Sequence, residues 1–333
     1  MEPPVRLAVV GCGRMGRFHL DALTGVEAVD IVAVVDSRPA VAQAAAAAGR
    51  TDAYDSVDAL VASARAEAWL LATPTPTHPA LVERALASDI HVLCEKPLSL
   101  EFQDHDRLGA QAEAAGLVLQ VGFWRRFSPP WVAAKRIIDT GVIGRPLMLR
   151  LAQWDAYPPP PEFCDPAVSG GLAIDCGVHE YDLAEWLSDG RVAAVNAINL
   201  PVVDSAIGAS GDIDNLVAVL TFDNGAVATV DLTRNARYGD DVRTDVLGSD
   251  GALFIELLPT ARTRLATADG VHTVPGSKAE DGTLAGVVAQ AYAFSQRVRG
   301  VTVDVPDAMA GGRAVEIGRA VQTAAQSGEP VDV

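Results

Sequence analysis

The chain has 333 residues, 49% hydrophobic and 21% charged, with 26 Lys and Arg against 43 Asp and Glu, a formal net charge of −17. Such totals fit a soluble globular protein of about two domains. The acidic excess opposes phosphate backbones and anionic lipid, which argues against nucleic-acid and membrane-surface partners.

The opening MEPPVRLAVVGCG has no basic region followed by a long apolar core and cleavage site, and no apolar run is long enough to span a bilayer. A cytoplasmic location is therefore expected. The four cysteines, Cys12, Cys94, Cys164 and Cys176, have no CxxC spacing, so reduced, buried thiols are the default reading. A zinc site from Cys164, Cys176 and His179 is not favoured by the spacing, and no metal is expected.

In chain order, VRLAVV (5–10), DIVAVV (30–35), AWLLAT (68–73), HVLCE (91–95) and LVLQVG (117–122) are continuous apolar runs. Such runs suit parallel strands covered on both faces. Helix-like segments at 14–24, 39–49, 56–65, 78–88 and 100–115 separate them. This β-α alternation predicts an α/β fold, with an N-terminal doubly wound parallel sheet of the Rossmann type over residues 1–122. Beyond it, residues 123–333 read as an α+β domain with a large, mostly antiparallel open sheet. There a helix is expected at 129–140 and a strand at 146–154. A stiff loop is expected at 157–163, where four prolines are consecutive. A helix follows over 170–187, then strands from 192 to 274 with hairpin turns at FDNGAV and GSDGAL, and two closing helices.

The strongest local signal is VVGCGRMG. Gly11, Gly13 and Gly16 form GxGxxG between a strand and a helix, the context a dinucleotide pyrophosphate needs. The next residues, Arg14 and Met15, open that helix. Asp36 ends the second strand 20 residues after Gly16, where a carboxylate accepts from the adenosine ribose hydroxyls and repels a 2′-phosphate. NAD is favoured over NADP, although Arg38 two residues on softens the discrimination. Thr73, Pro74 and His78 follow the third apolar run, and Glu95 and Lys96 the fourth, both at the carboxyl ends of strands where ligands bind in such sheets. Lys96 between a buried strand and a proline is an uncomfortable place for an ordinary surface lysine, and Glu95 is suited to hold its ammonium.

GGLAIDCGVHEYDLAEWL, residues 170–187, has an odd charge placement. At about 100° per residue, His179 lies about 40° from Asp175, and Asp182 about 20° to the other side. These polar residues share their stripe with Leu172, Leu183 and Trp186, the side that a helix usually turns to the core. Alone, the stretch reads as a structural histidine with solvated carboxylates; a cofactor site elsewhere in the chain changes that reading.

Taken together, GCGRMG, EKP (95–97), VGFWRRF (121–127), GGLAIDCGVHEYD (170–182), NARYGDD (235–241) and VLGSDGAL (246–253) resemble the Gfo/Idh/MocA oxidoreductases, nearest the inositol 2-dehydrogenase branch. The resemblance covers essentially the whole chain. It implies that Lys96, Asp175 and His179 face the substrate in a cleft between the domains. It also places Arg125 on the substrate side after the fifth apolar run, with Arg126 structural. Asn235 and Tyr238 are candidates to hydrogen-bond ring hydroxyls, and Trp124 and Trp154 to pack on a ring face. Gly177 fits close approach of a ligand or simple tolerance.

Oxidation of a secondary alcohol needs a base at the hydroxyl, and His179 suits that proton. Lys96 suits stabilisation of the oxygen, and Asp175 orientation of the substrate or the imidazole. The expectation is NAD-dependent oxidation of a cyclitol or sugar ring hydroxyl. Alternatives are an NADP(H)-linked keto-sugar reductase of the same fold and a non-catalytic NAD-binding sensor. The broad helix-free sheet face expected in the second domain implies a homo-oligomer, dimer or tetramer. The longer proline-bearing stretch from Trp154 to Ser169 departs from the inositol dehydrogenase pattern, which leaves the ring substrate open.

Overall fold

The apolar runs of the first third become parallel strands in a computed structural model that describes residues 3–49, 51–257, 261–279 and 281–333. In chain order these are β1 (Val5–Val10), α1 (Arg14–Leu23), β2 (Val29–Val35), α2 (Pro39–Gly49), β3 (Asp52–Tyr54), α3 (Val57–Ser63), β4 (Ala68–Leu71), α4 (His78–Leu86), β5 (His91–Cys94), α5 (Phe102–Ala115) and β6 (Leu119–Val121). The sheet order is β3-β2-β1-β4-β5-β6, one strand more than the sequence pattern suggests. The additional strand, β3, is a polar three-residue segment paired with Ala33–Val35, and so has no apolar run to announce it. Strand order reverses at β1, between β2 and β4. In sheets of this kind the carboxyl ends at such a switch point leave a crevice for a ligand.

Two compact units divide the chain: Met1–Trp124 with Val287–Gly312, and Arg125–Gly286 with Arg313–Val333. The first boundary falls two residues beyond the expected 122. A larger difference is that residues 287–312, expected in the second domain, return to the first. Ala291 and Phe294 join Val5, Leu7, Val9, Leu70 and Leu93 in its core, and the Val121 amide donates to the Pro306 carbonyl at 2.9 Å. Burial of Phe294 contributes about 2–3 kcal/mol relative to exposure, and periodicity within one helix cannot say which sheet receives it.

The second unit opens with α6 (Pro129–Asp139) and β7 (Pro146–Trp154), followed by the short helices α7 (Pro161–Cys164), α8 (Pro166–Ser169) and α9 (Leu172–Asp175). Then come α10 (Gly177–Ser188), β8 (Val192–Asn199), α11 (Ser205–Ala209), β9 (Asn215–Phe222), β10 (Val227–Thr233), β11 (Asp241–Gly248), β12 (Ala252–Glu256), β13 (Arg262–Thr267) and β14 (Gly270–Thr273). The chain closes with α12 (Gly282–Val298), α13 (Ala308–Ser327) and β15 (Val331–Asp332). Nine strands form one sheet in the order β14-β13-β12-β11-β7-β10-β9-β8-β15, antiparallel except where β10 pairs with β7. The two expected hairpin turns join β9 to β10 and β11 to β12.

Two expectations need correction here. The proline stretch contains α7, because proline is accepted in the first turn of a helix, where its missing N–H has no partner to lose. The single helix expected over 170–187 is two helices with Cys176 between them.

Alternation along β7 sorts the two faces of the sheet. Leu149, Leu151 and Gln153 are buried on the face where α10 packs, whereas Arg150 and Trp154 point to the opposite, open face. All four cysteines are free and buried. Among the described residues, no helix is long and apolar enough to cross a membrane.

Candidate active site

The glycine turn after β1 is fixed by its own backbone. Gly11 has φ +92°, and a Cβ there would lie 2.6 Å from the Ala72 carbonyl oxygen. A Cβ on Gly16 would lie 1.8 Å from the Gly11 carbonyl oxygen. Gly13 differs: a Cβ there meets nothing within 4 Å, and no side chain caps the start of α1 at this residue. The open space over Gly13 and the uncapped N–H groups of Arg14 and Met15 fit a dinucleotide pyrophosphate.

Asp36 follows β2 and is buried. Its Oδ2 accepts from the Cys12 amide at 3.0 Å, and Oδ1 from the Arg38 amide at 3.0 Å. The Arg38 guanidinium grips both oxygens, at 3.0 and 3.2 Å. Burial alone would raise the Asp36 pKa, but these hydrogen bonds outweigh it and hold the carboxyl below the usual range. The group is therefore an anion at neutral pH, with Arg38 offsetting part of its charge.

The loop after β5 is braced from two sides. Glu95 is 7% exposed. Its Oε1 lies 2.6 Å from His19 Nε2 on α1, and its Oε2 accepts from the Lys96 amide at 3.2 Å. The Glu95 carboxyl thus holds the Lys96 backbone, and the nearby ammonium adds electrostatically. Burial pushes its pKa up, but His19 and Lys96 outweigh that and hold it below the usual range. The Lys96–Pro97 peptide is cis, and Lys96 itself is half-buried.

His78, proposed from sequence to touch cofactor, is instead 1% exposed. Its ring nitrogens stand 2.9 Å from the Pro97 carbonyl oxygen and 2.8 Å from that of Thr73. It ties together the two loops that carry Thr73 and Lys96. Burial lowers its pKa, against the two carbonyl oxygens, which favour the protonated ring. Thr73 is half-buried and accepts from Thr77 Oγ1 at 2.8 Å, and Pro74 is exposed.

The polar stripe of α9 and α10 lies inside the second unit. His179 is 6%, Glu180 0% and Asp182 4% exposed. Asp182 accepts from Arg126 at 2.8 and 2.6 Å, and the Arg126 guanidinium stacks 5.7 Å over the Trp186 ring, a structural pair. Asp175 differs, because its side chain is 15% exposed. Its Oδ2 accepts from Arg234 Nη2 at 3.2 Å. Gly177 is explained by packing: a Cβ there would meet the Tyr181 hydroxyl at 2.6 Å, and Tyr181 is fully buried.

The substrate-side candidates separate. Arg125 is 4% exposed, paired with Glu180 and donating from Nη2 to Gln153 Oε1 at 2.8 Å. Burial raises the Glu180 pKa even against this guanidinium. Gln153 in turn donates to both oxygens of Asp155 at 3.2 Å, so Arg125 acts through Gln153 on a half-buried carboxylate.

Asn235 is half-buried, with its Nδ2 3.3 Å from Asn215 Oδ1. Tyr238 is 70% exposed and donates to Asp241 at 3.0 Å. Both stand on the loop that the Asp155 carbonyl holds through the Ala236 amide. Trp124 is buried. Trp154 points to the open face of the sheet, its Nε1 donating to Asp231 Oδ2 at 2.7 Å, away from the face that carries α10. Strand alternation therefore separates Trp154 from the His179 side, contrary to the sequence expectation.

His19, Gln153, Asp155, Asp212 and Arg234 are the residues that sequence reasoning did not single out. His19 had a signal, three residues beyond Gly16 on the dinucleotide helix.

Residues 5–123 match the model of the oxidoreductase family with an NAD-binding Rossmann fold, and residues 131–254 match the GFO/IDH/MocA C-terminal domain. The chain is 35% identical over 253 residues to a myo-inositol 2-dehydrogenase of Thermotoga maritima, an alignment covering 76% of this chain and 75% of that one. It belongs to the Gfo/Idh/MocA family. A further member, the scyllo-inositol 2-dehydrogenase (NAD(+)) of Bacillus subtilis, is 33% identical over 81% of this chain and 79% of its own. The crystal structure of a myo-inositol dehydrogenase from Corynebacterium glutamicum superposes with a TM-score of 0.85 at 26% identity, covering 99% of both chains. The protein is an NAD-binding oxidoreductase of the inositol dehydrogenase type.

Proposed function

We propose that this family member oxidises a secondary ring hydroxyl of a cyclitol or sugar. The observation that carries the reading is Asp175, one oxygen locked by a buried arginine and its side chain still partly open, four residues before His179. Similarity to inositol 2-dehydrogenases supports the substrate class. His179 takes the hydroxyl proton as general base, since an imidazole titrates near the working pH. Lys96 donates to the hydroxyl oxygen and stabilises negative charge developing there. Asp175 orients the imidazole or a neighbouring hydroxyl, and the cluster titrates as a unit. NAD, when bound over the Gly11–Gly16 turn, supplies the hydride acceptor. Asn235 and Tyr238 contribute further hydroxyl contacts. The protein works as a homo-oligomer in the cytoplasm.

The test is NADH formation with purified protein, NAD or NADP, and a panel of inositols and aldoses. Wild type is run beside His179→Ala and Lys96→Ala. Turnover with NAD on a ring polyol, lost in both variants, supports the reading. Tight NAD binding without turnover on any member overturns it in favour of an NAD sensor or an untested keto-sugar.

A further inference from the structure

We propose that Arg234, anchored by Asp212, is a positioning residue that fixes the Asp175 carboxylate for the reaction. The inference rests on the dehydrogenase reading above for its consequence, but not for its geometry. Arg234 follows β10 and its side chain is 0% exposed. Nη1 donates to Asp212 Oδ2 at 2.7 Å and Nη2 to Asp175 Oδ2 at 3.2 Å. Asp212 is itself held, accepting from the Leu172 amide with both oxygens at 3.1 and 3.0 Å. Leu172 starts the helix that Asp175 ends. The three charges therefore close a loop in which the backbone at the start of α9 and the carboxylate at its end share one guanidinium.

A buried arginine needs a carboxylate, and Asp212 already provides one at 5% exposure. The second carboxylate is the member that reaches solvent. A guanidinium fork with fixed directions is the side chain that holds such a group in one orientation; an ammonium is a point charge and does not. Other groups face Asp175. The Cys176 thiol lies 3.9 Å from its Oδ2 and 3.4 Å from that of Asp155, so Asp155 stands beyond it. Cys164 Sγ lies 3.3 Å from Arg234 Nη1. Asp155 adds a like charge and Arg234 a positive one, its Nη2 donating to Asp175 Oδ2.

Two variants with opposite electrostatic signs test the relay. Arg234→Met removes a positive neighbour, so Asp175 protonates more readily. Asp212→Asn removes a negative neighbour, so it protonates less readily. The readouts are the acid limb of the kcat/KM pH profile on a ring polyol and, independently of turnover, the carboxyl-carbon NMR titration of Asp175, assigned with Asp175→Asn.

For Arg234→Met the expected result is a fall in kcat of about tenfold to a hundredfold with KM changed less. Its limb and Asp175 midpoint should move upward by about one pH unit. Asp212→Asn should move both downward, and Arg234→Lys should restore the midpoint more than kcat. If Arg234→Met does not fold, the downward sign of Asp212→Asn carries the test. Equal Asp175 midpoints in wild type and the folded variants overturn the relay. Wild type that turns over no ring polyol removes the dehydrogenase reading alone, because the carbon titration needs no substrate.

Discussion

His19 Nε2 lies 2.6 Å from Glu95 Oε1, joining the helix that opens on the glycine turn to the residue immediately before Lys96. Both side chains are nearly sealed from water, at 1% and 9% exposure. A buried carboxylate that loses a charge-assisted partner keeps its desolvation cost. His19→Ala should therefore lower stability by about 2–3 kcal/mol in a denaturant titration.

The pH dependence of that loss has a defined sign. The Glu95 pKa is depressed in the folded chain, so its stabilisation is present above the ordinary glutamate value of 4.5 and fades as pH falls through the lower folded value. The gap between wild type and His19→Ala should be widest above that value and shrink below it. A gap independent of pH from neutral to strongly acid would show that the pair is not the source.

Two glycines of the turn, Gly16 and Gly13, make separable predictions. Gly16→Ala puts a methyl group 1.8 Å from a backbone oxygen, which nothing flexible can relieve. It should lose about 3 kcal/mol of stability or more. Gly13→Ala meets nothing within 4 Å, so its melting temperature should stay near that of wild type while calorimetry shows weaker NAD binding. Unchanged NAD affinity in Gly13→Ala would remove the pyrophosphate from that space.

At the ribose end, Asp36→Ser removes the buried anion and leaves Arg38 without its partner. NAD affinity should fall about tenfold, the worth of one or two hydrogen bonds to a charged group, and NADP affinity should rise. Arg38→Ala in the Asp36→Ser background should abolish the NADP gain. Equal NADP affinity in all of these variants would place the 2′ position elsewhere.

How much of this was legible follows from period and phase. The glycine turn, Asp36 and Lys96 stand where apolar runs end, which sequence shows directly. β3 was not legible because Asp52–Tyr54 carries no apolar run. The return of residues 287–312 to the first unit depends on which surface Phe294 meets, and one helix does not encode that. Arg234 was legible in principle. Ala228, Val230 and Leu232 are the buried residues of β10, and Arg234 continues their phase, so a charge there needed buried partners. Trp154 shows the converse: Leu149, Leu151 and Gln153 set the inward phase of β7, and Trp154 falls outside it. On α10 a 3.6 period could not separate Asp182 from His179, because the helix is buried on nearly every side and only the location of Arg126 distinguishes them.

The open face of the nine-stranded sheet leads to the last prediction. Trp154, Val219, Val227 and Leu247 are each more than a third exposed. The pairings Trp154↔Thr233, Met148↔Val227, Leu247↔Met148 and Thr229↔Val219 place all four on the face opposite α10. Apolar side chains spread over neighbouring central strands of one face, with no helix of their own unit covering them among the described residues, suit a self-complementary contact between copies. Two buried carboxylates introduced at the middle of that face would have no partners and would repel their symmetry mates. Light scattering at micromolar concentration should give a dimer or tetramer mass for wild type and a monomer mass for Val219→Glu with Leu247→Glu. Because NAD is held by the first unit, calorimetry on the monomer should still show NAD binding, which separates lost assembly from lost folding. A monomer mass for wild type itself would leave the face without a partner and remove the oligomer from the proposed function.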